Sequence, residues 1–348
     1  MRHHYALAWE VARRNGHLAF ELDDNSQVGE LRRVAVAMAA KLGFDETTRG
    51  RVALVATELG SNLVRYANRG RVLLAAVEST PGKLAVEMLS LDHGPGIADL
   101  SACMADGHST GGTSGTGLGA VRRLSDEFDI HSSVPSGTVI LARLTTRPAP
   151  PPSGPFVVGA VALALPGETA CGDGWSVRQG EAGTAVLLAD GLGHGWEAAQ
   201  ATSLALATFE TAPFDDSRAM LQKIHQALRT SRGAAVALAQ LDPAGTHVRF
   251  AGVGNIAGRL ISGLVDRSLL SQHGTAGLRL GSLHVVDCDW PAHAVLVMHS
   301  DGLFSRWKLE GAADILQHHP GLIAAWLMRE YCRGRDDASV VVVKRRDV

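Results

Sequence analysis

Acidic residues stand beside glycine or beside each other at several points in the second half of the chain, each next to an apolar run. They are Asp173, Asp190, Asp301 and the neighbours Asp336 and Asp337. One Asp-Gly after a strand is usually only a turn. Several carboxylates gathered at strand ends are different, because like charges repel one another unless cations hold them together. Oxygen ligands suit Mg²⁺ or Mn²⁺, and two such ions about 4 Å apart can activate water for in-line attack on a phosphate ester.

In the first half of the chain, a carboxylate and a carboxamide stand one helical turn apart. Glu58 and Asn62 are i and i+4 in a predicted helix, so both side chains project from one face. Such a pair can position a hydroxyl group or water and hold a hard cation. On spacing alone, a solvated helix face explains the pair more simply. Asp92 follows a predicted strand and could accept a hydrogen bond from the amino group of a purine.

A glycine-rich segment at residues 111–119 leads into a short amphipathic stretch at residues 120–124. Glycines ahead of a helix N-terminus present N–H groups and the positive end of the helix dipole to phosphate. The segment lacks the strand-then-GxGxxG context of a dinucleotide fold and the GK[ST] of a P-loop. Alone, it is a weak indication of a nucleotide site.

The elements that must position these residues follow from the apolar pattern. Helical spacing predicts a helix over residues 26–42, capped by Asn25 or Ser26 and followed by Gly43, and a second helix over residues 45–68. Residues 71–78 and 83–91 read as a hairpin whose turn is Pro81-Gly82, and residues 196–209 as a helix. The strands predicted in the second half cover residues 156–165, 176–179, 184–189, 233–241, 246–253, 295–298 and 340–343.

Taken in order, the segments ELGSN (58–62), DHGPGI (92–97) and GTGLGAVRRL (115–124) resemble the nucleotide-binding boxes of the GHKL ATP-binding fold, over about residues 20–146. The segment TELGSNLVRYANRG looks most like the small RsbT-like switch kinases of bacterial stress signalling, which phosphorylate a serine or threonine on a STAS-domain protein. The resemblance implies ATP with Mg²⁺. It makes Glu58 the general base, Asn62 the Mg²⁺ ligand and Asp92 the adenine anchor, with Thr138 near the adenine. The glycines that it places at the ATP lid and phosphate site are Gly94, Gly96, Gly115, Gly117 and Gly119.

In the second half, the segments GDGW, ADGLGHG, SDGLF and RDDAS resemble the motifs of the SpoIIE/RsbX branch of the metal-dependent protein phosphatases of the 2C class, over about residues 156–348. The resemblance implies two Mn²⁺ or Mg²⁺ ions. Asp173, Asp190 and the Gly191 carbonyl would bridge them, and Asp301 and Asp336 would complete the site. Whether Asp336 or Asp337 is the ligand stays open. His194 is either an acid beside the site or an exposed loop histidine.

A proline-rich run at residues 147–155 separates the two patterns. Proline fixes φ and lacks a backbone donor, so this run cannot continue a helix or a central strand and reads as an extended spacer. We therefore predict a GHKL domain at residues 1–146, a linker at 147–155 and a phosphatase domain at 156–348. The fold class is α+β. A GHKL (Bergerat) α/β sandwich precedes a 2C-type α-β-β-α sandwich.

Composition excludes several other classes of protein. The chain has 348 residues and a formal charge of −2, which gives no electrostatic reason to expect nucleic acid or an anionic membrane as a partner. Four cysteines without CxxC spacing suggest neither a zinc site nor a disulfide framework. The longest apolar runs are about half a membrane span, and no signal peptide follows Met1, so we expect a cytoplasmic protein.

These observations predict a bacterial partner-switching regulator that phosphorylates and dephosphorylates serine or threonine on a STAS-domain anti-sigma antagonist or a similar protein. Further stress-signalling proteins stay open as partners. The alternative is a protein serine phosphatase whose ATP-binding half is an anti-sigma-type binding module, but a pure binder has no need of the base Glu58. A non-catalytic scaffold and a chaperone-type or mismatch-repair-type ATPase fit the motifs and the domain size less well, and no phospho-acceptor hairpin of a sensor histidine kinase precedes the first motif.

Overall fold

The computed structural model describes residues 16–80, 83–104, 117–146, 154–291, 293–309 and 311–346. These residues belong to two compact units, His17–Ser153 and a unit that includes Gly154–Val348. The predicted turn at Pro81-Gly82, the residue Gly115 and most of the proline-rich run lie outside the described residues. Among the described helices, none combines the length and apolarity that a membrane span requires.

The first unit is one antiparallel sheet with helices packed on it. Its helices are α1 (Asn25–Lys41), α2 (Glu46–Tyr66), α3 (Leu100–Met104) and α4 (Leu118–Leu124). Its strands are β1 (Leu18–Glu21), β2 (Arg71–Thr80), β3 (Lys83–Leu91), β4 (Glu127–Ser133) and β5 (Gly137–Thr145). They lie in the order β1-β2-β3-β5-β4. The sheet thus brings the end of β3 beside the start of β5.

Helix α1 begins one residue earlier than predicted, and its cap is Asp24. The Asp24 carboxylate accepts hydrogen bonds from the amides of Ser26 and Gln27, while the Gln27 side chain accepts one from the Asp24 amide at 3.0 Å. This reciprocal capping box satisfies backbone donors that the helix start would otherwise leave unpaired. The predicted caps, Asn25 and Ser26, are therefore wrong. The predicted Gly43 follows the helix end with φ of 78°, a conformation that glycine adopts readily.

A buried ion network crosses the same sheet. Glu87 on β3 lies opposite Arg143 on β5, and Arg143 lies opposite Glu127 on β4. The Arg143 Nε donates to Glu87 at 2.6 Å, its Nη1 donates to Glu127 at 2.8 Å, and His17 Nε2 lies 3.1 Å from Glu87. Burial alone would raise the pKa of Glu87, but the charge of Arg143 and the hydrogen bond from His17 lower it to about 2.

The second unit contains two five-stranded sheets. One has the order β13-β10-β9-β8-β7 and the other β12-β11-β14-β15-β6. The strands are β6 (Phe156–Leu163), β7 (Asp173–Gly180), β8 (Gly183–Gly191), β9 (Ala234–Leu241), β10 (His247–Val253), β11 (Ala257–Ile261), β12 (Asp266–Leu270), β13 (Val286–Asp289), β14 (Val295–His299) and β15 (Ala338–Arg345). The helices are α5 (Trp196–Thr211), α6 (Ser217–Ala227) and α7 (Pro320–Tyr331), with short 3₁₀ turns at Leu228–Thr230 and Ala313–Gln317.

Strand β8 shows why this unit has two cores. Its residues Val186 and Leu188 face the second sheet, in a core with Phe250 and Leu296. Its alternate residues, including Leu187, face α5 and α6 in a second core. A strand buried on both faces is apolar at successive positions, which is why residues 185–189 of β8 form a continuous apolar run. Helix α7 packs on β6 and β15 at the outside of the second sheet, so the unit is an α-β-β-α sandwich as predicted.

Helix α7 approaches β6 at a glycine. A Cβ atom built on Gly159 would lie 2.0 Å from the amide nitrogen of Gly321 and 2.4 Å from the carbonyl carbon of Pro320. Real side chains do not tolerate such distances to backbone atoms, so only glycine fits at position 159 while the helix is in this place. The first turn of α7 therefore sits directly on the β6 backbone.

Candidate active sites

In the first unit, the residues of the three nucleotide-box motifs lie around one cavity of about 450 Å³. The predicted site residues that line it are Glu58, Asn62, Asp92, Gly96, Gly117 and Thr138. Gly94 and Gly119 do not line it, and Gly115 is outside the described residues. Four separate segments, α2, the end of β3, the start of α4 and the start of β5, thus contribute to a single cavity.

Asp92 is held by the two strands that meet at this cavity. Its amide donates to the Thr138 carbonyl at 3.0 Å, and its Oδ1 accepts a hydrogen bond from the Gly94 amide at 2.6 Å. A Cβ atom on Gly94 would lie 2.8 Å from Asp92 Oδ1 and 2.9 Å from the Tyr66 carbonyl oxygen. Gly94 therefore orients the aspartate from behind instead of facing the cavity.

The wall beside Thr138 is a hydrogen-bonded loop. Gly96 has φ of 74°, and a Cβ there would lie 2.5 Å from the Ser133 carbonyl oxygen. The next amide, of Ile97, donates to Ser132 Oγ at 2.8 Å, and this hydroxyl lies 2.9 Å from the Thr138 hydroxyl. These bonds fix the loop after Asp92 against β4 and β5, so hydrogen bonds within the protein hold this wall of the cavity in place.

Sequence reasoning missed Arg65, which also lines the cavity. It follows Glu58 by seven residues on α2, and a spacing of seven returns to the same helix face after two turns. The i+7 spacing from Glu58 was the signal that could have found it. A guanidinium on this wall complements the charge of a phosphate chain. Ser90 and Cys103 also line the cavity without having been predicted.

In the second unit, two of the predicted metal ligands face each other across a strand pair. Asp173 at the start of β7 is paired in register with Asp190 near the end of β8. The Gly191 amide donates to the Gly172 carbonyl at 3.0 Å, and a Cβ on Gly191 would lie 2.2 Å from the Ala198 carbonyl oxygen. The Asp-Gly step is therefore required by the close approach of α5 as well as by the turn.

The electrostatics of this pair are those of a cation site. Burial, with the charges of Asp173 and Asp301, raises the pKa of Asp190 to about 9. Burial also raises the pKa of Asp173 to about 7, although the hydroxyls of Ser300 and Ser339 counteract it. Asp173 Oδ1 is buried without a hydrogen-bond partner. A divalent cation would supply the missing positive charge, so the residues fit one.

Across the described ranges of both units, no three Asp, Glu, His or Cys side chains are arranged to enclose an ion as they stand. The fit of the aspartates to an ion therefore rests on their mutual charge and on the unpaired oxygen of Asp173.

The two neighbouring aspartates near the C-terminus have different surroundings. Asp337 is buried, and its two oxygens accept hydrogen bonds from the amides of Leu165 at 2.7 Å and Gly172 at 2.8 Å. Asp336 is exposed, and its charge contributes to raising the pKa of Asp190. Both Asp337 oxygens are thus engaged by backbone amides, whereas Asp336 is exposed and interacts electrostatically with Asp190.

Two further polar contacts were not predicted. Asn255 Nδ2 donates to Asp301 Oδ2 at 2.6 Å and so fixes the aspartate of the third motif. His194 Nδ1 lies 2.7 Å from Glu168 Oε1, with 55% of the histidine side chain exposed. The histidine is therefore an exposed loop residue with a carboxylate partner.

Two family models match separate parts of this chain. Residues 20–144 match the histidine kinase-like ATPase domain family, and residues 180–346 match the Stage II sporulation protein E (SpoIIE) family. The serine/threonine-protein kinase RsbT of Bacillus subtilis (strain 168) is 38% identical over 105 residues, which are 30% of this chain and 78% of RsbT.

Among solved structures, a chain of the bacterial stressosome, a modular system adapted to control secondary messenger signaling, is 28% identical with a TM-score of 0.52. The match covers 54% of this chain and 99% of that one. The PP2C phosphatase domain of SpoIIE from Bacillus subtilis, with a fragment of its regulatory domain, is 20% identical, with coverages of 92% and 96% and a TM-score of 0.47. The family matches confirm both predicted folds and their fusion in one chain.

Proposed function

The chain belongs to the family of serine/threonine-protein kinases represented by RsbT and carries a SpoIIE-type phosphatase domain on the same polypeptide. From this premise we propose that it sets the phosphorylation state of a STAS-domain protein in a partner-switching circuit. One half adds phosphate to a serine or threonine of that protein, and the other half removes it. The observation that carries the proposal is the presence, in one chain, of a cavity lined by Glu58, Asn62 and Asp92 and of a cluster of aspartates whose charges raise the pKa of Asp190.

In the kinase half, positioning does most of the chemistry, because phosphoryl transfer needs alignment and charge neutralisation more than covalent help. Asp92 would accept a hydrogen bond from the adenine amino group, Arg65 would face the phosphates, and Glu58 would take the proton of the attacking hydroxyl. Asn62 would hold the Mg²⁺ that accompanies ATP. Gly96 and Gly117 would let the backbone approach the nucleotide, and Gly94 orients Asp92. We assign Gly119 and, outside the described residues, Gly115 to the ATP lid.

In the phosphatase half, Asp173, Asp190, the Gly191 carbonyl, Asp301 and Asp336 would hold two Mn²⁺ or Mg²⁺ ions. Ions bound there would neutralise the phosphate and activate a water for attack. The chain's own residues prepare the site: Asn255 orients Asp301, the Ser339 hydroxyl donates to Asp173 at 2.7 Å, and Asp337 ties two backbone amides beside it.

The proposal keeps the domain limits 1–146, 147–155 and 156–348. Along the chain, the boundary between the two compact units falls between residues 153 and 154, inside the proline-rich run. This position supports a linker there. A kinase that draws on ATP also works where ATP is available, so the proposal includes a cytoplasmic location and further stress-signalling proteins as partners.

The decisive experiment uses the purified full chain with one STAS-domain protein, first unphosphorylated with ATP and Mg²⁺, then as its phosphoserine form with Mn²⁺. We expect phosphate transfer that is lost in Glu58→Gln and hydrolysis that is lost in Asp190→Asn. The matched controls are Glu46→Gln, an exposed glutamate on the same helix, and Asp289→Asn, an exposed aspartate on β13. ATP binding without transfer, combined with hydrolysis, would instead support the anti-sigma-type binding module.

A further inference from the structure

The loop that leaves the phosphatase cluster carries two large apolar side chains in solvent. Leu192 directly follows Gly191 and is 52% exposed, and Trp196 opens helix α5 and is 54% exposed. Single exposed apolar residues are common, but several in one place beside a site mark an interaction surface. Both side chains lie on the five residues, 192–196, that follow Asp190 and Gly191.

This loop is held at several points, so the exposure belongs to a formed surface. The Leu192 amide donates to the Gly233 carbonyl at 3.0 Å, and the Ala199 amide donates to the Gly195 carbonyl at 3.0 Å. His194 pairs with Glu168 at 2.7 Å. These bonds fix the backbone on both sides of Leu192 and Trp196.

A third exposed apolar residue, Leu278, lies beside the segment that holds the Leu192 backbone. A Cβ atom on Gly233 would lie 3.2 Å from Leu278 Cγ, and the carbonyl of the same glycine accepts a hydrogen bond from the Leu192 amide. Leu278 is 59% exposed. Leu192 and Leu278 thus flank one residue, and the ion pair of Arg232 with Glu197 links that segment to the first turn of α5. We call Leu192, Trp196 and Leu278 the apolar rim.

We propose that the apolar rim binds an apolar side chain next to the phosphoserine of a protein substrate, and so selects phosphoproteins over small phosphate esters. The inference rests on the proposed phosphatase function. An extended peptide advances about 3.3 Å per residue, so when its phosphoserine reaches Asp190 and Gly191, the neighbouring residues lie over Leu192.

Charge and burial together favour an apolar neighbour. Arg232, whose guanidinium lies near Gly193, is already paired with Glu197. An apolar neighbour gains by covering Leu192 and Trp196 and brings no unpaired charge to the site.

The test uses two synthetic phosphoserine peptides. One has leucine on both sides of the phosphoserine, and the other has glycine at those two positions but is otherwise identical. With Mn²⁺ and the full chain, we expect kcat/KM to favour the leucine peptide by about tenfold, the discrimination that one apolar side chain typically provides. Trp196→Ala should reduce this preference to about twofold or less, and Trp196→Phe should keep most of it. Leu278→Ala, which is further from the aspartates in the chain, is the second variant should Trp196→Ala fail to fold.

The matched control is Leu264→Ala, an exposed leucine at the turn between β11 and β12. That side chain is 99% exposed, and β11 runs from Ala257, paired with His299, to Ile261, paired with Val295. The turn is therefore at the far end of β11 from Asp301, and the control should keep the full preference for leucine. If the chain hydrolyses neither peptide and also fails to hydrolyse p-nitrophenyl phosphate, the phosphatase function is refuted. Equal hydrolysis of both peptides, or an unchanged preference in Trp196→Ala and Leu278→Ala, would refute the rim alone.

Discussion

Replacing Glu87 by glutamine should weaken the sheet of the kinase unit by about 3 kcal/mol at pH 7. The folded structure lowers the pKa of this carboxyl from its ordinary 4.5 to about 2, through the charge of Arg143 and the contact with His17. Each pKa unit corresponds to about 1.4 kcal/mol, so the network favours the ionised form by about 3 kcal/mol. The variant also leaves the buried Arg143 with only one carboxylate, a loss that typically costs 3–5 kcal/mol.

Native-state hydrogen exchange in the full chain is the suitable assay, because two units in one chain need not unfold together. Amides of Met88 on β3 and Ala142 on β5, which lie opposite each other, report the local free energy of opening. We expect exchange about a hundredfold faster in Glu87→Gln, since about 1.4 kcal/mol is a factor of ten.

The pH dependence has a definite sign. Because the folded pKa of Glu87 lies below its ordinary value, the stabilisation is complete above about pH 4.5 and is lost as the pH falls towards 2. That loss should be absent from Glu87→Gln. The control Glu21→Gln removes an exposed ion pair with Arg71 and should cost less than about 1 kcal/mol. Equal effects of the two substitutions would refute the assigned role of the network.

Three other substitutions follow from the geometry. Gly94→Ala should weaken ATP binding at least about tenfold by calorimetry, because its methyl group would meet Asp92 and the Tyr66 carbonyl, whereas Gly29→Ala, with open space at its Cβ, should not. Asp337→Ala leaves the amides of Leu165 and Gly172 without acceptors and should lower the stability of the phosphatase unit by about 2–4 kcal/mol in denaturant titration; no loss would show that water replaces the carboxylate. Asp190→Asn should abolish hydrolysis but raise the melting temperature of the phosphatase unit in EDTA at pH 7. Burial and neighbouring aspartates raise the pKa of Asp190 to about 9, so its ionised form is unfavourable below that pH without a cation. A lower melting temperature in EDTA would contradict this electrostatic account.

Much of the fold could be predicted because its signals are local. Strand β3 has the predicted limits, 83–91, and helix α5 begins at Trp196 as predicted, because apolar periodicity and turn residues determine both. The cap of α1 was wrong because Asp24, Asn25 and Ser26 are all good capping residues, and only the backbone decides which side chain reaches the amides. Strands β1, β4 and β11 to β13 and helix α7 were not predicted, since they are short or are apolar without a clear period. Helix α6 was also missed, although its buried residues Met220, Leu221 and Ile224 recur at helical spacing.

The site residues depend on contacts between distant parts of the chain. Asp336 and Asp337 cannot be told apart by sequence, because their difference arises from the amides of Leu165 and Gly172, which are far away along the chain. The same holds for Asn255, whose partner Asp301 follows it by 46 residues. The motifs could indicate which aspartates gather, but not which one binds backbone.

The contact between Gly159 and the first turn of α7 limits which mutations this position can tolerate. Any other amino acid at position 159 would push the helix away from β6, and α7 leads through Tyr331 into the segment that ends in Asp336 and Asp337. A mutation at this glycine would therefore be selected against through lost phosphatase activity, although glycine itself takes no part in the chemistry. In a library of random single substitutions, we expect position 159 to tolerate as little change as the aspartates do, while open positions such as Gly263 drift freely.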